Sequence, residues 1–401
     1  MTSDGFSREQ TSQEHGNKNA AMAGGGIAGL IAAIGSIAAV GLGFSITLPL
    51  LALTLEDRGI SSTWIGINTA FWGLSSLAVT PFVSRLATWA GTAQMLAISI
   101  LVLAACLPLF FFAPFWAWFP LRLIGGGALT VTFVLSEFWI SSAATPERRG
   151  IIMGLYASML SAGFALGPVI LAITGTRGLT PFLVGSAVLV LGIIPVLAGM
   201  DVAPKLSHRL KGSFARFLFL APVATGAALL FGTIEGGAFS MLPIYGQRVG
   251  HDRDAVILLG IAVTIGNILL QIPMGLVSDR VDRRKLLFAI AAFGLAGTAV
   301  LPHVAADFWP LMLALGLWGG VVGSLYTVGL AHLGSRFTGE DLAAANAAFI
   351  FCYSLGGLAG PATIGVAMDL VDPRGFELAL AGFFVAYLLL VVSRIAAARR
   401  A

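Results

Sequence analysis

The sequence has little charge. Asp, Glu, Lys and Arg make up only 10% of its 401 residues, against roughly a quarter in a typical soluble domain. Hydrophobic residues account for 57%, and a water-facing surface cannot be assembled from this composition. An ordinary soluble enzyme and a nucleic-acid-binding protein are therefore excluded. Cysteine is also scarce: Cys106 and Cys352 both lie in apolar runs, which argues against a disulfide framework and leaves no metal-ligand cluster. These absences indicate a polytopic membrane protein without a metal or another cofactor.

Apolar runs long enough to cross a bilayer recur along the chain. A transmembrane helix needs about 20 such residues, and twelve runs meet this requirement. They lie at 24–54, 64–84, 94–113, 116–143, 150–174, 180–200, 216–246, 255–277, 286–304, 308–334, 341–368 and 376–397. We therefore predict an all-α membrane protein with twelve transmembrane helices.

The polar segments divide these spans into two groups. We predict six-helix bundles at 23–200 and 216–397, joined by a charged linker at 201–215. The first 22 residues are polar, so a disordered tail is predicted at 1–22, and a short tail at 398–401 ends the chain.

Basic residues are distributed unequally between the loops. With the N-terminus inside, the cytoplasmic loops and the C-terminal tail carry fifteen Lys and Arg, and the outer loops carry five. Cytoplasmic loops of membrane proteins show this excess. Both termini are therefore predicted to be cytoplasmic.

Several local features occur twice at a nearly constant separation. Pro49 and Pro243 are 194 residues apart, and three further features repeat after 193 residues. These are Phe115-Trp116 with Phe308-Trp309, Gly126-Gly127 with Gly319-Gly320, and Gly163, Gly167, Pro168 with Gly356, Gly360, Pro361. Because six is an even number, the two halves have the same orientation in the membrane.

One loop carries a specific motif. Residues 275–284 read GLVSDRVDRR and resemble the major facilitator signature G-x-x-x-D-R-x-G-R-R, with Asp282 in place of the second glycine. The resemblance implies a conformational latch formed by Gly275, Asp279, Arg280, Arg283 and Arg284. The corresponding segment of the first half, residues 81–85, lacks the acidic residue.

Other segments are similar to the same superfamily, whose two halves form a parallel repeat. Residues 122–126 resemble its fourth-helix arginine motif, and residues 163–168 resemble the first part of its fifth-helix antiporter motif. The segments LPL, SEFWISSAATPERRG, IEGGAFSMLPIYGQR and PMGLVSDRVDRR are similar to the YcaD-like bacterial branch. The resemblance implies a transporter of the bacterial inner membrane and no enzyme activity. The repeated glycines and prolines are expected to pack helices or to act in gating: Gly163, Gly167, Pro168, Gly356, Gly360 and Pro361.

Three ionisable residues lie inside predicted spans and have no ionisable counterpart in the other half: Arg122, Glu137 and Glu235. A charged side chain at the centre of a membrane helix costs roughly 2.5–3.5 kcal/mol on insertion scales. Such groups line a cavity or pair with each other. The resemblance places the fourth and seventh helices, which carry these three residues, around the central cavity.

The sequence leaves the pairing of these groups open. Arg122 and Glu137 are about 22 Å apart along one helix at 1.5 Å per residue and cannot touch, whereas a contact between Arg122 and Glu235 is conceivable. Each residue also has a structural interpretation. Glu137 could bond to a neighbouring backbone or to Arg148, Glu235 could be a buried structural acid, and Arg122 could extend to the interface.

Further polar and aromatic residues are candidates for the cavity wall, and each could equally be a packing or interhelical hydrogen-bonding residue. They are Asn68, Trp72, Tyr156, Phe239, Asn267, Gln271, Tyr326 and Tyr353, with Trp139 and His332 as weaker candidates.

These observations predict a monomeric secondary transporter that moves a small organic molecule across the bilayer by alternating access. Proton coupling is favoured because a buried carboxylate can take up a proton at ordinary pH. Glu235 is the predicted proton carrier, since the glycines that follow it leave room for water. The partial antiporter motif favours export. The alternatives are uptake of an anionic solute held by Arg122, and a receptor or assembly factor without transport.

Overall fold

The computed structural model describes residues 4–143, 149–204, 215–337 and 339–400, and the regular elements in these ranges are helices. The first six long helices are α1 (Asp4–Asp57), α2 (Ser62–Val79), α3 (Thr92–Phe112), α4 (Trp118–Ala143), α5 (Arg149–Thr174) and α6 (Thr180–Ala198). The second six are α7 (Pro222–Arg248), α8 (Arg253–Arg280), α9 (Arg283–Val304), α10 (Phe308–Gly334), α11 (Gly339–Leu370) and α12 (Gly375–Arg400). Short helical segments occur at Thr80–Phe82, Val83–Ala90, Phe115–Ala117, Met200–Val202 and Ala215–Leu220.

Each of the twelve predicted spans coincides with one of these helices, which confirms the all-α membrane fold. In the described ranges, ten helices are long and apolar enough to cross a membrane, and the exceptions are α2 and α5. Both pack against the opposite half, α2 on α11 and α5 on α8. For α5 the described apolar stretch is limited to Ser158–Thr174. Because its contact with α11 reduces the exposure of α2 to lipid, α2 can carry polar residues such as Asn68 and Thr69.

Two predicted boundaries differ from the structure. Helix α1 begins at Asp4, so residues 4–22 are helical where disorder was predicted. Extending an existing helix is much less costly than nucleating one, and this segment contains the helix formers Ala, Glu, Gln and Lys. Helix α12 likewise continues to Arg400. Most of the predicted linker, at 205–214, lies outside the described residues.

The repeated glycines bring corresponding helices together in both halves. In the first half, a Cβ atom at Gly163 on α5 would lie 2.3 Å from the carbonyl oxygen of Ala38 on α1. In the second half, a Cβ atom at Gly356 on α11 would lie 2.0 Å from the carbonyl oxygen of Leu229 on α7. Only glycine allows the backbones to approach this closely. The sequence repeat therefore corresponds to a repeated helix contact.

The two halves meet along α2 and α11. A Cβ atom at Gly66 would lie 2.2 Å from the carbonyl oxygen of Pro361, and one at Gly73 would lie 2.4 Å from the backbone nitrogen of Leu358. We call the face with the connections 58–61 and 249–252 the distal face, and the face at which α1 begins and α12 ends the proximal face. The backbone contact between the halves extends from the distal face into the middle of the protein.

Candidate functional site

Glu235 lies in an irregular turn in the middle of α7. Residues Ile234–Ala238 form a single π-helical turn between two α-helical segments, a feature that is frequent at functional sites. The Glu235 side chain is only 8% exposed, and its carboxylate accepts a hydrogen bond from the hydroxyl group of Tyr353 on α11. The widened turn thus presents a buried carboxylate to the neighbouring helix.

The glycines that follow Glu235 do not leave a space for water. A Cβ atom at Gly237 would lie 2.8 Å from the backbone of Gly360, and one at Gly236 would lie 3.2 Å from the backbone of Gly357. The expectation of open space beside Glu235 is therefore wrong. Glycine serves here to bring α7 against α11, and this contact places Tyr353 within hydrogen-bonding distance of the carboxylate.

Aromatic rings pack against the ring of Tyr353. The ring centroid of Tyr353 lies 5.8 Å from that of Tyr326 on α10 and 6.1 Å from that of Phe231 on α7. Tyr326 and Phe231 are 5.5 Å apart, and Phe349 lies 5.1 Å from Tyr326. Phe231, Tyr326 and Tyr353 are each only partly buried. We call these three residues the aromatic cluster, and part of its surface is open.

Trp72 reaches this site from the first half. Its ring contacts Tyr353 edge-on at 5.9 Å and Phe44 at 4.7 Å, and it covers Gly357 and Gly236. Trp72 is 4% exposed, and its indole nitrogen has no hydrogen-bond partner among the described residues. A residue of α2 therefore packs over the part of the second half that holds Glu235.

Glu137, on α4, is half-buried and directly follows Ser136 in the chain. The Tyr156 hydroxyl group lies 3.2 Å from Oγ of Ser136. A tyrosine hydroxyl group is thus bonded to the residue before Glu137 in the first half, and another is bonded to Glu235 itself in the second half. Arg148, the alternative partner for Glu137, lies outside the described residues.

Arg122 makes its contacts within its own half. Its Nε donates to Oδ1 of Asn68 at 3.1 Å, and one of its terminal nitrogens donates to Oγ1 of Thr69 at 3.4 Å. Its guanidinium carbon lies 6.0 Å from the ring centroid of Phe110 on α3. The side chain is 5% exposed, so it does not extend to the interface, and it is held inside its own half.

The remaining cavity candidates lie elsewhere. Asn267 on α8 packs against Gly323 of α10, and Gln271, also on α8, has a buried Oε1 without a partner in the described part of the chain. Phe239 lines an apolar crevice between α1, α5, α7 and α8, together with Pro49, Pro168 and Pro243.

The motif at 275–284 has its polar contacts inside the second half. Arg283 donates to Oδ1 of Asp279 at 3.2 Å and to Oγ of Ser278 at 3.3 Å, and the Asp279 side chain is 72% exposed. A Cβ atom at Gly275 would have no neighbour within 4 Å. Arg280 and Arg284 lie beside this pair in sequence, at the proximal face.

Asp282, where the motif has glycine, has a clear structural role. Its carboxylate accepts hydrogen bonds from the backbone nitrogens of Arg284 at 2.9 Å and Lys285 at 3.1 Å, at the first turn of α9. The backbone bond from Lys285, followed by that from Arg284 and the charges of both residues, holds the pKa of Asp282 below its ordinary value. Asp282 is therefore the N-cap of α9.

Charged contacts between the halves at the distal face were missed by the sequence analysis. Arg253 lies 2.5 Å from Oδ1 of Asp57, and Arg248 lies 3.9 Å from Glu56. Asp369, on α11, accepts hydrogen bonds from the backbone nitrogens of Ser62 at 3.1 Å and Thr63 at 2.7 Å. It therefore caps α2, which belongs to the other half. In the sequence, these contacts are indicated by acidic and basic residues that occur together at the predicted outer ends of the helices.

A buried acid near the start of α12 was also missed. Tyr245 on α7 donates a hydrogen bond to Oε1 of Glu377 at 2.6 Å, and Glu377 is 5% exposed. Because Glu377 lies at the edge of its predicted span, it was not counted among the residues inside a span. Its contact is confined to the second half.

Twelve helices in two similar halves, with a buried carboxylate near the place where the halves meet, form an architecture typical of membrane transport proteins. The sequence profile described as Major Facilitator Superfamily matches residues 33–266 and 224–400. The chain belongs to this superfamily, as the resemblance of its motifs predicted.

Curated relatives and solved structures agree with this assignment. The chain is 26% identical to the uncharacterized MFS-type transporter YfkF of Bacillus subtilis over 341 residues, covering 82% of this chain and 86% of YfkF. It is 23% identical to the uncharacterized MFS-type transporter YcaD of Escherichia fergusonii over 355 residues, covering 88% and 92% of the two chains. The predicted resemblance to YcaD-like proteins is thus confirmed. A crystal structure of a mutant of the nucleoside transporter NupG has the same fold, with a TM-score of 0.77 at 15% identity over 91% of this chain and 99% of that one.

Proposed function

We propose that this multi-pass membrane transporter is a proton-coupled exporter of a small organic molecule, that Glu235 is its proton site, and that it works as a monomer in a bacterial inner membrane. The observation that carries this proposal is the position of Glu235. Its carboxylate is bonded by Tyr353, and Trp72 of the other half contacts both the Tyr353 ring and Gly236, the residue after Glu235. Any relative rotation of the halves changes the contact between Trp72 and this pair.

This position suits proton coupling for a physical reason. A transported proton must bind to a group whose proton affinity differs between the two conformations. In the described conformation Trp72 packs over Gly236, directly after Glu235. When the halves separate along α2 and α11, the indole ring moves away and water gains access to the carboxylate. The change in hydration alters the free energy of its ionised form.

The charged contacts at the two faces support an assignment of this structure to one of the two alternating-access states. The distal face is bridged between the halves by Arg253 with Asp57 and by the cap of Asp369 on α2, whereas Asp279 at the proximal face contacts its own half. We therefore assign this structure to the state that opens at the proximal face. The excess of Lys and Arg on that face places it in the cytoplasm, so the substrate would be loaded from inside.

The test is the substitution Glu235→Gln in protein reconstituted into liposomes. Accumulation driven by an imposed pH gradient should be lost, whereas counterflow, which moves no net protons, should persist because glutamine keeps the shape of the side chain. Glu377→Gln is a matched control, since it also neutralises a buried acid that is bonded by a tyrosine. Gradient-driven accumulation by Glu235→Gln at the wild-type rate would remove Glu235 from the coupling role.

Glu137 is the second carboxylate to test. If it contributes to substrate binding, Glu137→Gln should change the apparent affinity, because the neutral side chain keeps its volume and loses its charge. If it is a structural acid, the same substitution should lower the melting temperature and leave the affinity unchanged. A melting curve and a binding isotherm on one preparation separate these outcomes.

Uptake of an anionic solute is the second candidate function. The observation that favours it is the buried guanidinium of Arg122, which has neutral partners, Asn68 and Thr69, among the described residues. An anion that displaced these partners would compensate the charge. Arg122→Gln should abolish uptake in this case and leave export unchanged otherwise, which initial-rate measurements in vesicles of both orientations can resolve.

A further inference from the structure

We infer that the substrate is an organic cation whose positive charge is held between Glu235 and the open surface of the aromatic cluster. This inference rests on the proposed transport function and adds the chemical class of the molecule that is moved. It depends on two independent features of the site, which are its charge and its aromatic surface.

The first feature is the sign of the charge. Glu235 is only 8% exposed, and its carboxylate is bonded by the neutral hydroxyl group of Tyr353. Within the described ranges, no Lys, Arg or His is among the groups that interact with Glu235. Arg122 is held on the α2 side of its own half. A buried carboxylate without a compensating cation favours a positively charged ligand.

The second feature is the aromatic surface. The faces of tyrosine, tryptophan and phenylalanine rings attract cations within about 6 Å of the ring centroid. Phe231, Tyr326 and Tyr353 are in mutual contact and leave no room between their rings. A ligand therefore lies on the exposed side of the cluster. A cation with an apolar body would pack against the rings and direct its charge to Glu235.

The carboxylate of Glu235 then binds the proton and the organic cation in turn. When Glu235 is ionised, it can hold the cation. When it takes up a proton from the distal side, it becomes neutral and the attraction is lost. One proton thus replaces one positive charge of the ligand, and the Tyr353 hydroxyl group remains beside the carboxylate in both forms. This exchange is the charge balance of a proton–cation antiporter.

The test measures equilibrium binding to the purified full-length protein, with the change in tryptophan fluorescence as the readout. The probes are a series of quaternary cations from tetramethylammonium through benzyltrimethylammonium to tetraphenylphosphonium. Neopentylbenzene, the neutral isostere of benzyltrimethylammonium, and benzenesulfonate are the matched neutral and anionic probes. At least one cation should bind, and its affinity should be more than tenfold higher than that of the neutral and anionic probes.

Variants connect this binding to the site. Glu235→Gln should weaken cation binding at least tenfold, and Tyr326→Leu should weaken it several-fold, whereas Tyr326→Phe, which keeps the ring, should have little effect. Glu377→Gln is the control that should not change it. The inference is overturned if no cation of the series binds, if the anionic or neutral probe binds as well, or if Glu235→Gln binds like the wild type.

Flux measurements keep this inference distinct from the proposed function. If a cation binds at Glu235 but a pH gradient does not drive its movement in liposomes, the transport proposal fails and the binding site remains. If a pH gradient drives a neutral or anionic solute in a manner that requires Glu235, the transport proposal stands and the cation inference fails.

Discussion

At the distal face, Asp369 of the second half bonds to the first two backbone nitrogens of α2, which belongs to the first half. At the proximal face, Asp282 bonds in the same way to the first backbone nitrogens of α9, its own neighbour in the chain. Both carboxylates cap a helix N-terminus and satisfy donors that the helix itself leaves unpaired. One cap crosses between the halves and the other does not.

The comparison separates two uses of one interaction. A cap inside a half is present whichever way the halves are oriented, so it contributes to stability in every state. A cap between the halves is broken when they separate, so it favours one state over the other. The predictions below test this distinction, beginning with the largest expected effect.

The first prediction concerns close packing between the halves. In Gly73→Val the new side chain would meet the α11 backbone, since even a Cβ atom would lie 2.4 Å from the nitrogen of Leu358. Overpacking costs about 1–3 kcal/mol. A value near the upper end would reduce the population of the distal-closed state by about 100-fold, at 1.4 kcal/mol for each factor of ten.

The measurement is the distance between spin labels at Phe112 and Ala306, which lie on the distal ends of the two halves. The labels are placed in a variant without Cys106 and Cys352. The mean distance should increase, and transport should be almost abolished. Gly382→Val is the control, because a Cβ atom at Gly382 has no neighbour within 4 Å. An unchanged distance in Gly73→Val would show that this contact does not determine closure.

The second prediction concerns the cap between the halves. Asp369→Ala removes both bonds to the α2 backbone, and losing a cap costs about 0.5–2 kcal/mol. We expect the distal-closed population to fall by about tenfold, with the same labels reporting the change. Asp369→Asn, which can still accept a hydrogen bond, should lie between Asp369→Ala and the wild type. Equal distances in all three proteins would contradict a conformational role for Asp369.

The third prediction concerns the proximal motif. In this conformation Asp279 makes an exposed contact with Arg283, and such pairs contribute roughly 0–1 kcal/mol. Asp279→Asn should therefore leave the melting temperature within error. The substitution should slow flux several-fold if Asp279 stabilises only the opposite state, in which the distal face is open. Substrate affinity and flux measured on one preparation decide this, and unchanged flux with normal expression would remove the latch role.

The fourth prediction concerns the cap inside the second half. Asp282→Ala should lower stability by about 1 kcal/mol and leave the label distances unchanged. Since the pKa of Asp282 is held below its ordinary value in the folded protein, its contribution is present above about pH 4, the ordinary pKa of aspartate, and is lost as pH falls through the lower folded value. Melting curves of both proteins should therefore converge in acid. A stability difference that persists at low pH would assign the effect to helix propensity.

The candidate site was predictable only in part. Glu235 and Glu137 stood out in the sequence because an ionisable group inside an apolar span is costly and needs a reason to be there. Their surroundings were not predictable. Tyr353 is 118 residues from Glu235 in the chain, and several tyrosines and polar residues were equivalent candidates until packing selected one of them.

Arg122 illustrates why spacing alone was insufficient. Its depth in the membrane was compatible with a contact to Glu235, since depth depends only on position along a helix. The direction of its side chain depends on which neighbours surround α4. Asn68 and Thr69, on α2, provide its acceptors, and the distance along the sequence gives no information about this choice.

The sequence by itself determined the membrane fold and the family. Lipid offers no hydrogen-bonding partners to the backbone, so apolar runs of about 20 residues have to become helices, and the repeat and the motif at 275–284 identify the superfamily. Only the tertiary structure decided which charged groups meet. The bond between Tyr353 and Glu235, the cap of Asp369 on α2 and the cover provided by Trp72 all join residues far apart in sequence. Such contacts depend on the relative position of whole helices, which local composition does not specify.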